Sequence, residues 1–327
     1  MNINEIAKRA GVSRATVSRY LNDGYVSQEK RTRISRIIEE TGYVPSSQAQ
    51  QLRNGKTHLV GVIIPKINSQ SVSRMVEGVT SKLAEHGYQV LLANTENDES
   101  KEIEYLRILN QGDRVDGIIL LGTVFNEAHE KVIRRLRVPF VVLDQHFEGH
   151  ACIYQDDYHA VRDLTQLALS TARKPAYIGV FEEDRAVGVM RRQGFLDACA
   201  QVGIDVLPEA MQFASFTSDS GYFAAEKILE HVPDVDTIVC ATDEMAFGAI
   251  MYMREYGKRV PEDVQVTGVG DSPMSRIIIP ALSTVHLPFK TSGIKAAEML
   301  LRQISFPNEN PVSICMPYEV YQRNSLR

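Results

Sequence analysis

The stretch INEIAKRAGVSRATVSRYLND, from Ile3 to Asp23, constrains this chain more than any other. Ile3, Ile6, Ala7 and Ala10 recur at helical spacing and give one apolar stripe, with Glu5, Lys8 and Arg9 on the solvent side. Gly11 supplies the left-handed backbone that closes a helix, Val12 can plug the angle between two helices, and Ser13 is a good N-cap for the next. The spacing predicts a second helix starting at or near Arg14 that buries Val17 and Leu21. Arg14, Ala15, Ser18, Arg19 and Asn22 are then left on or beside its outer face. Small and basic residues at the exposed N-terminal end of a short second helix suit entry into a DNA major groove. The pattern is that of a helix-turn-helix.

A third helix is expected from about Gln28 to Glu40 with Ser27 as its cap, burying Ile34, Ile37 and Ile38. Gly42-Tyr43-Val44-Pro45 ends it, because the residue before proline avoids helical geometry and proline lacks a donor. Ser46 to Arg53, SSQAQQLR, offers another short helix, polar apart from Ala49 and Leu52; two turns alone are not stable in water. Net charge is −5 overall, yet residues 1–57 hold ten Lys or Arg against five Asp or Glu, so the head sums to +5 and the remainder to −10. A basic head on an acidic body implies nucleic acid at one end only, because phosphate contacts supply most non-specific affinity.

At 44% apolar and 24% charged residues the chain can bury substantial cores. No apolar region follows Met1 and no run approaches the ~18 apolar residues of a membrane helix, so a cytoplasmic protein without membrane contact is expected. Cys152, Cys199, Cys240 and Cys315 are far apart with no Cys-x-x-Cys, which argues against a zinc site or a disulfide framework; reduced, buried thiols are expected. His146, His150, Asp156, Asp157 and His159 are better read as a strand and a helix start than as metal ligands. From Leu59 onward, apolar strands alternate with amphipathic helices, the signature of parallel α/β architecture. LVGVII, QVLLA, GIILL and FVVL form one set. AYIGVF, Met211–Phe213, TIVCA and VQVTGV form a second, so two doubly wound lobes are expected. Ligands of such folds sit outside the carboxyl ends of strands, here Pro65–Ser71, Gly122–Thr123, Asp144–His146, Phe181–Arg191, Thr242–Glu244 and Gly270–Ser272. Their hydroxyl, carboxylate and guanidinium groups suit a polyhydroxylated ligand.

The run EIAKRAGVSRATVSRYLN, followed by VSQEKRTRISRIIEETGYVPSSQAQQLRNGKTHLVGVIIP, resembles the N-terminal region of the lactose and galactose repressor (LacI/GalR) family of bacterial transcription regulators. The resemblance continues through the whole chain. It implies an all-α helix-turn-helix DNA-binding head at residues 1–45, a hinge helix and linker at 46–57, and an effector-binding and dimerisation core at 58–327. That core would be two doubly wound α/β lobes, periplasmic-binding-protein-like. By the resemblance, Arg14, Ala15 and Arg19 fall at base-reading positions, and Ser13, Thr16, Ser18 and Asn22 where the family contacts phosphates or buttresses the helix. Each arginine could instead meet phosphate. Ala49 and Leu52 fall in a hinge helix that folds on DNA, with Leu52 wedged into the central minor-groove step.

In the core, VGVMRRQGF matches the family's Arg-x-x-Gly-Phe and places Arg191 where an arginine grips the effector. TGVGDSPMSRIIIPALSTV places Asp271 where a carboxylate accepts from it, and VPFVVLDQ puts Asp144 on the opposing lobe. Three positions depart from the family. Thr242 stands where many members carry Asn, and Ser71-Val72 replaces an aromatic pair, which favours a sugar or sugar phosphate over a flat purine. Ser69, Ser71 and CATD lean toward the sucrose- and trehalose-operon branch. Arg185, Arg192, Lys66 and Arg74 are candidate phosphate partners, with solvated surface charge as the alternative.

The expected function is a repressor of a carbohydrate-utilisation operon, released from a palindromic operator by a sugar or sugar-phosphate effector. A homodimer is expected, since the closing MPYEVYQRNSLR carries no leucine heptad. The effector would shift a conformational population, and corepression would use the same parts with opposite sign. A sugar-modifying enzyme with a DNA-binding head is the competing class. Against it, no Walker-type loop with lysine occurs and Gly268-x-Gly270 lacks its third glycine. Neither enzymatic activity nor a cofactor is expected.

Overall fold

The computed structural model describes residues 1–43, 56–112 and 114–327. The chain divides into two compact units, Met1–Thr57 and His58–Arg327.

In the head, α1 (Ile3–Ala10) opens on a reciprocal cap. Asn2 Oδ1 accepts from the Glu5 N–H at 3.1 Å, and the Glu5 carboxylate accepts from the Asn2 N–H at 3.2 Å. Gly11, at φ 64°, ends the helix in the left-handed region. Next comes α2 (Arg14–Tyr20), starting where the spacing placed it, with Ser13 Oγ accepting from the Thr16 N–H at 3.2 Å. The third helix, α3 (Gln28–Thr41), closes a core of Ile6, Ala7, Ala10, Val17, Ile34 and Ile37, against which Val12, Leu21 and Ile38 lie partly buried. One expectation changes: Ser27 stands at the N-cap, but its hydroxyl makes no cap bond. The main chain closes that turn instead, the Ser27 carbonyl accepting from the Arg31 N–H at 2.9 Å.

The second unit contains two six-stranded sheets. The first joins β1 (Leu59–Ile64), β2 (Gln89–Asn94), β3 (Gly117–Leu121), β4 (Phe140–Leu143), β5 (Cys152–Gln155) and β11 (Ser313–Met316) in the order β11-β5-β4-β3-β1-β2, all parallel. The second joins β6 (Pro175–Gly179), β7 (Met211–Phe213), β8 (Thr237–Cys240), β9 (Gln265–Val269), β10 (Ser283–His286) and β12 (Glu319–Tyr321) in the order β12-β10-β9-β8-β6-β7, with only β12 antiparallel. Helices cover both faces, so β1, β3 and β4 read as unbroken apolar runs, while β9 and β10 also bury Gln265, Thr267, Ser283 and Thr284.

Helices α4 (Gln70–Glu85), α5 (Glu99–Leu109) and α6 (Glu127–Ile133) belong to the first lobe. To the second belong α7 (Asp157–Leu169), α8 (Arg191–Gln201), α9 (Ser218–His231) and α10 (Asp243–Glu255), while α11 (Phe289–Ser305) returns to pack on α4, β3 and β4. The chain therefore crosses between lobes at β5–α7, β10–α11 and β11–β12. Among the described residues no helix is long and apolar enough to cross a membrane. Cys152, Cys199 and Cys240 are buried free thiols, but Cys315 is exposed, contrary to expectation, because β11 is the edge strand of its sheet.

Helices meet backbone to backbone through reciprocal glycines. A Cβ on Gly78 of α4 would lie 2.0 Å from the Lys290 carbonyl oxygen, and one on Gly293 of α11 would lie 2.0 Å from that of Met75. Between α9 and α10, a Cβ on Gly221 would lie 2.2 Å from the Met245 carbonyl oxygen and one on Gly248 1.9 Å from that of Ser218. Backbone cannot yield there as a flexible side-chain tip would. Gly248→Ala is therefore expected to push α9 from α10 and to cost at least the ~1–3 kcal/mol of an overpacked core. Denaturant unfolding reads this as a lower midpoint, with exposed Lys227→Ala on the same helix pair staying within about 0.5 kcal/mol of the native protein.

Candidate DNA-reading face and ligand cleft

On α2, Arg14, Ala15 and Arg19 are exposed along one side of the helix. The Ser13 and Thr16 hydroxyls lie 2.9 Å apart and lock its first turn, while Asn22 Nδ2 donates to the Ser18 carbonyl at its other end. Arg31 stacks 5.3 Å from the centre of the Tyr20 ring and donates to the Gly24 carbonyl at 3.4 Å, bracing α2 against α3. Thus Ser13, Thr16 and Asn22 serve the head's own geometry, and Arg14, Ala15 and Arg19 point outward on a helix fixed at both ends. Ala49 and Leu52 lie outside the described residues.

In the second unit, the ends of β4 and β5 and the wide-turned helical stretch Arg185–Met190 enclose a cavity of about 260 Å³. Asp144 and Gln155 line it from the first lobe, Asp156 and Asp157 from the crossing into α7, and Arg185 and Met190 from the second lobe. Lobe-to-lobe contacts hold it closed. Gln145 Nε2 donates across to Asp184 Oδ1 at 3.4 Å, besides the Thr123 carbonyl of its own lobe; Lys66 Nζ sits 4.2 Å above the Phe216 ring; Arg74 Nη1 donates to the Gly270 carbonyl at 2.9 Å.

Arg191 lies just behind the cavity and is 5% exposed. Its Nε donates to Asp157 at 2.7 Å and its Nη1 to the Ala241 carbonyl at 2.5 Å, leaving the Nη2 end of the fork. Asp144 adopts φ 80°, a left-handed backbone that few residues other than glycine tolerate and that tends to gather at functional sites. Burial, then the charge of Asp157, raises its carboxyl to about 7. Burial likewise raises Asp184 to about 6, against its bond from the Val187 N–H.

The remaining ligand candidates stand elsewhere. The Ser71 hydroxyl lies 3.0 Å from that of Ser69 at the start of α4. Thr242 caps α10, accepting from the Met245 N–H at 3.4 Å. Asp271 lies in a bonded cluster. Its carboxylate already receives bonds from Arg276 at 2.8 Å, Arg323 at 2.5 Å and His286 at 3.1 Å. Burial works against ionisation, but these donors prevail and hold the group at about 2. His146 sets its ring edge-on to Tyr154 at 5.0 Å, and His159 Nδ1 bonds Asp156 at 2.7 Å. Sequence reasoning passed over Gln155 and Asp157 as ligand-site residues. The rule that ligands gather at strand carboxyl ends would have found them, had β5 been counted with the other strands.

Asp144 makes a pH signature. In the folded protein it keeps its proton up to about pH 7, whereas an unfolded aspartate loses it near ~3.9. Between those values the folded state binds more protons, so this group's contribution to stability falls as pH rises. Asp144→Asn removes that loss. Its melting temperature relative to the native protein is expected to climb from pH 4 to pH 8 in thermal unfolding, and an offset independent of pH would contradict the assignment.

Residues 2–46 match the model of bacterial regulatory proteins, lacI family, and residues 164–326 that of a periplasmic binding protein-like domain. The sucrose operon repressor of Staphylococcus xylosus is 33% identical over 93% of both chains, and the ribose operon repressor of Bacillus subtilis 30% identical over 99% of this chain and 98% of that one. Among solved structures, a transcriptional regulator CelR–cellobiose complex is 28% identical with a TM-score of 0.77, covering 99% of each chain. The lac repressor dimer bound to operator and the anti-inducer ONPF shares the fold at TM-score 0.90 and 22% identity, over 99% of this chain and 98% of that one. The chain belongs to the LacI family of bacterial regulatory proteins.

Proposed function

We propose that this protein is a sequence-specific repressor of a carbohydrate-utilisation operon, acting in the cytoplasm without catalysing a reaction. A homodimer binds a near-palindromic operator through residues 1–45, joined by residues 46–57 to an effector-binding and dimerising core at 58–327. The observation that carries the reading is the outward face of α2, with Arg14, Ala15 and Arg19 exposed on a helix capped and braced at both ends. Its basic charge stands against an acidic remainder of −10. Arg14 and Arg19 read base edges, with Ser13, Thr16, Ser18 and Asn22 meeting phosphate or holding the helix. A sugar in the cavity beside Asp144 and Arg191 biases the core between two closures and so sets operator affinity. The names of the sucrose and ribose operon repressors support a carbohydrate effector.

Binding to a labelled palindrome from upstream of the protein's own gene tests this. Arg14→Ala is expected to relax preference at one base pair per half-site, by about 1–3 kcal/mol. A uniform loss over all sequences would make Arg14 a phosphate contact instead. Arg191→Ala is expected to bind operator but to ignore the sugar that releases the native protein; tighter operator binding with sugar would make the regulator a corepressor-dependent one.

A further inference from the structure

Carboxylates from three elements converge where the two lobes meet. Asp144 follows β4 of the first lobe, Asp184 comes after β6 of the second, and Asp157 opens α7 just past the first crossing between them. Strands β4 and β6 lie in different sheets, so Asp144 and Asp184 feel one another's charge only through the closure of the lobes. That closure is direct at this point. Gln145, the residue after Asp144, is buried and donates its amide to Asp184 Oδ1 at 3.4 Å. The Asp184 carboxylate also accepts from the Val187 N–H at 3.0 Å, and that of Asp144 accepts from the amide of Gln155.

Little positive charge answers them. The Arg191 guanidinium is bonded to Asp157 at 2.7 Å and to the Ala241 carbonyl, Lys66 Nζ lies 4.2 Å over the Phe216 ring within the field of Asp184, and Arg185 is exposed. His146 and Asp156 line the same cavity, the imidazole edge-on to Tyr154 and the carboxylate bonded to His159. The bonds that reach Asp144 and Asp184 thus come from amide and backbone N–H groups. Burial and the approach of like charges both disfavour an ionised carboxylate. Burial is the larger cause at each, joined at Asp144 by the charge of Asp157; Arg191 opposes it at both without cancelling it. The two groups therefore hold their protons to about pH 7 and about pH 6. Opening the lobes hydrates them and parts them, which returns each toward the ~3.9 of an ordinary aspartate.

We propose that the lobes close with uptake of protons at Asp144 and Asp184, so that acid favours the closed core and alkali loosens it. The sign follows from linkage. Between ~3.9 and about 7 the closed state binds more protons than the open one, so closure gains as pH falls, by up to about tenfold per pH unit for each proton linked. Asp243 is also raised by burial, to about 6, but it is bonded to the Ser272 N–H at 2.7 Å and to the Thr284 hydroxyl at 2.5 Å inside the second lobe. It keeps those neighbours whichever way the lobes stand. The proposal rests on reading the core as moving between two closures, and adds proton concentration to the signals that set their balance.

The test is Förster transfer in the full-length protein between dyes on one engineered cysteine per lobe, Lys131→Cys on α6 and Lys227→Cys on α9, with Cys315→Ser removing the exposed native thiol. Labelled protein is diluted into unlabelled protein so that each signal comes from one chain. From pH 8 to pH 5 the distribution is expected to move toward the dye separation of the closed structure, the closed-to-open ratio rising at least about tenfold. Asp144→Asn combined with Asp184→Asn should abolish that movement, with cooperative thermal unfolding as the check on folding. Opening in acid, or a response that persists in the double variant, would overturn the proposal. A distribution that saturating operator DNA shifts but pH does not would overturn proton coupling alone. One that neither shifts would overturn the two-closure reading with it. The pH series on the labelled parent decides even if the double variant does not fold.

Discussion

The cleft depends on one buried guanidinium. Arg191 opens α8 and is removed from water, where an unpaired charge is prohibitively expensive. It survives because Asp157, at the start of α7, and the carbonyl of Ala241, beyond β8, converge on it from two other elements. Such a pair contributes little net stability over an apolar packing, but breaking it strands a charge at about 3–5 kcal/mol. Asp157 lies immediately after the β5–α7 crossing, so the tie that holds Arg191 also fixes how the chain leaves the first lobe. The left-handed Asp144 backbone and the buried Gln155 amide lie at the carboxyl ends of the paired strands β4 and β5.

Around that tie, rigidity and mobility are divided in a way that suits a switch. Within each lobe, helices lock through glycine contacts too close for any side chain, which makes them poor places for adjustment. Between the lobes the chain crosses three times, and polar bridges through Gln145, Lys66 and Arg74 add to the apolar core that both share. A ligand in the cavity can favour one arrangement only to the extent that it binds that arrangement better. Asp144 and Arg185 line the cavity from its two sides.

Much of this was legible in the chain, and what escaped has a physical reason. The head's helices are set by local chemistry: Gly11 at φ 64° and the Ser13 cap sit within a few residues of what they terminate or start. The parallel strands announce themselves as apolar runs. By contrast, α11 rejoins the first lobe through a contact with α4 more than two hundred residues earlier, as in the Lys290–Glu77 ion pair, and no local pattern predicts which lobe it covers. The partners of Asp271 were hidden for a similar reason. A motif can place a carboxylate at a strand end, but not reveal that Arg323, far along the chain, has already taken it. Gln155 escaped because β5 was not counted among the strands whose carboxyl ends gather ligands, and the direction of its amide is set by Ser292, too far along the chain for any local pattern to show.

The central claim is that operator and effector sites are two readouts of one equilibrium. Linkage makes it measurable without knowing either closed form: the factor by which sugar changes operator affinity must equal the factor by which operator changes sugar affinity. The direct measurement is therefore sugar titration of the full-length protein with and without saturating operator DNA, set against operator titration with and without saturating sugar. The account predicts equal factors, about 5–150-fold for couplings of ordinary size. Sugar affinity unchanged by saturating operator would contradict it.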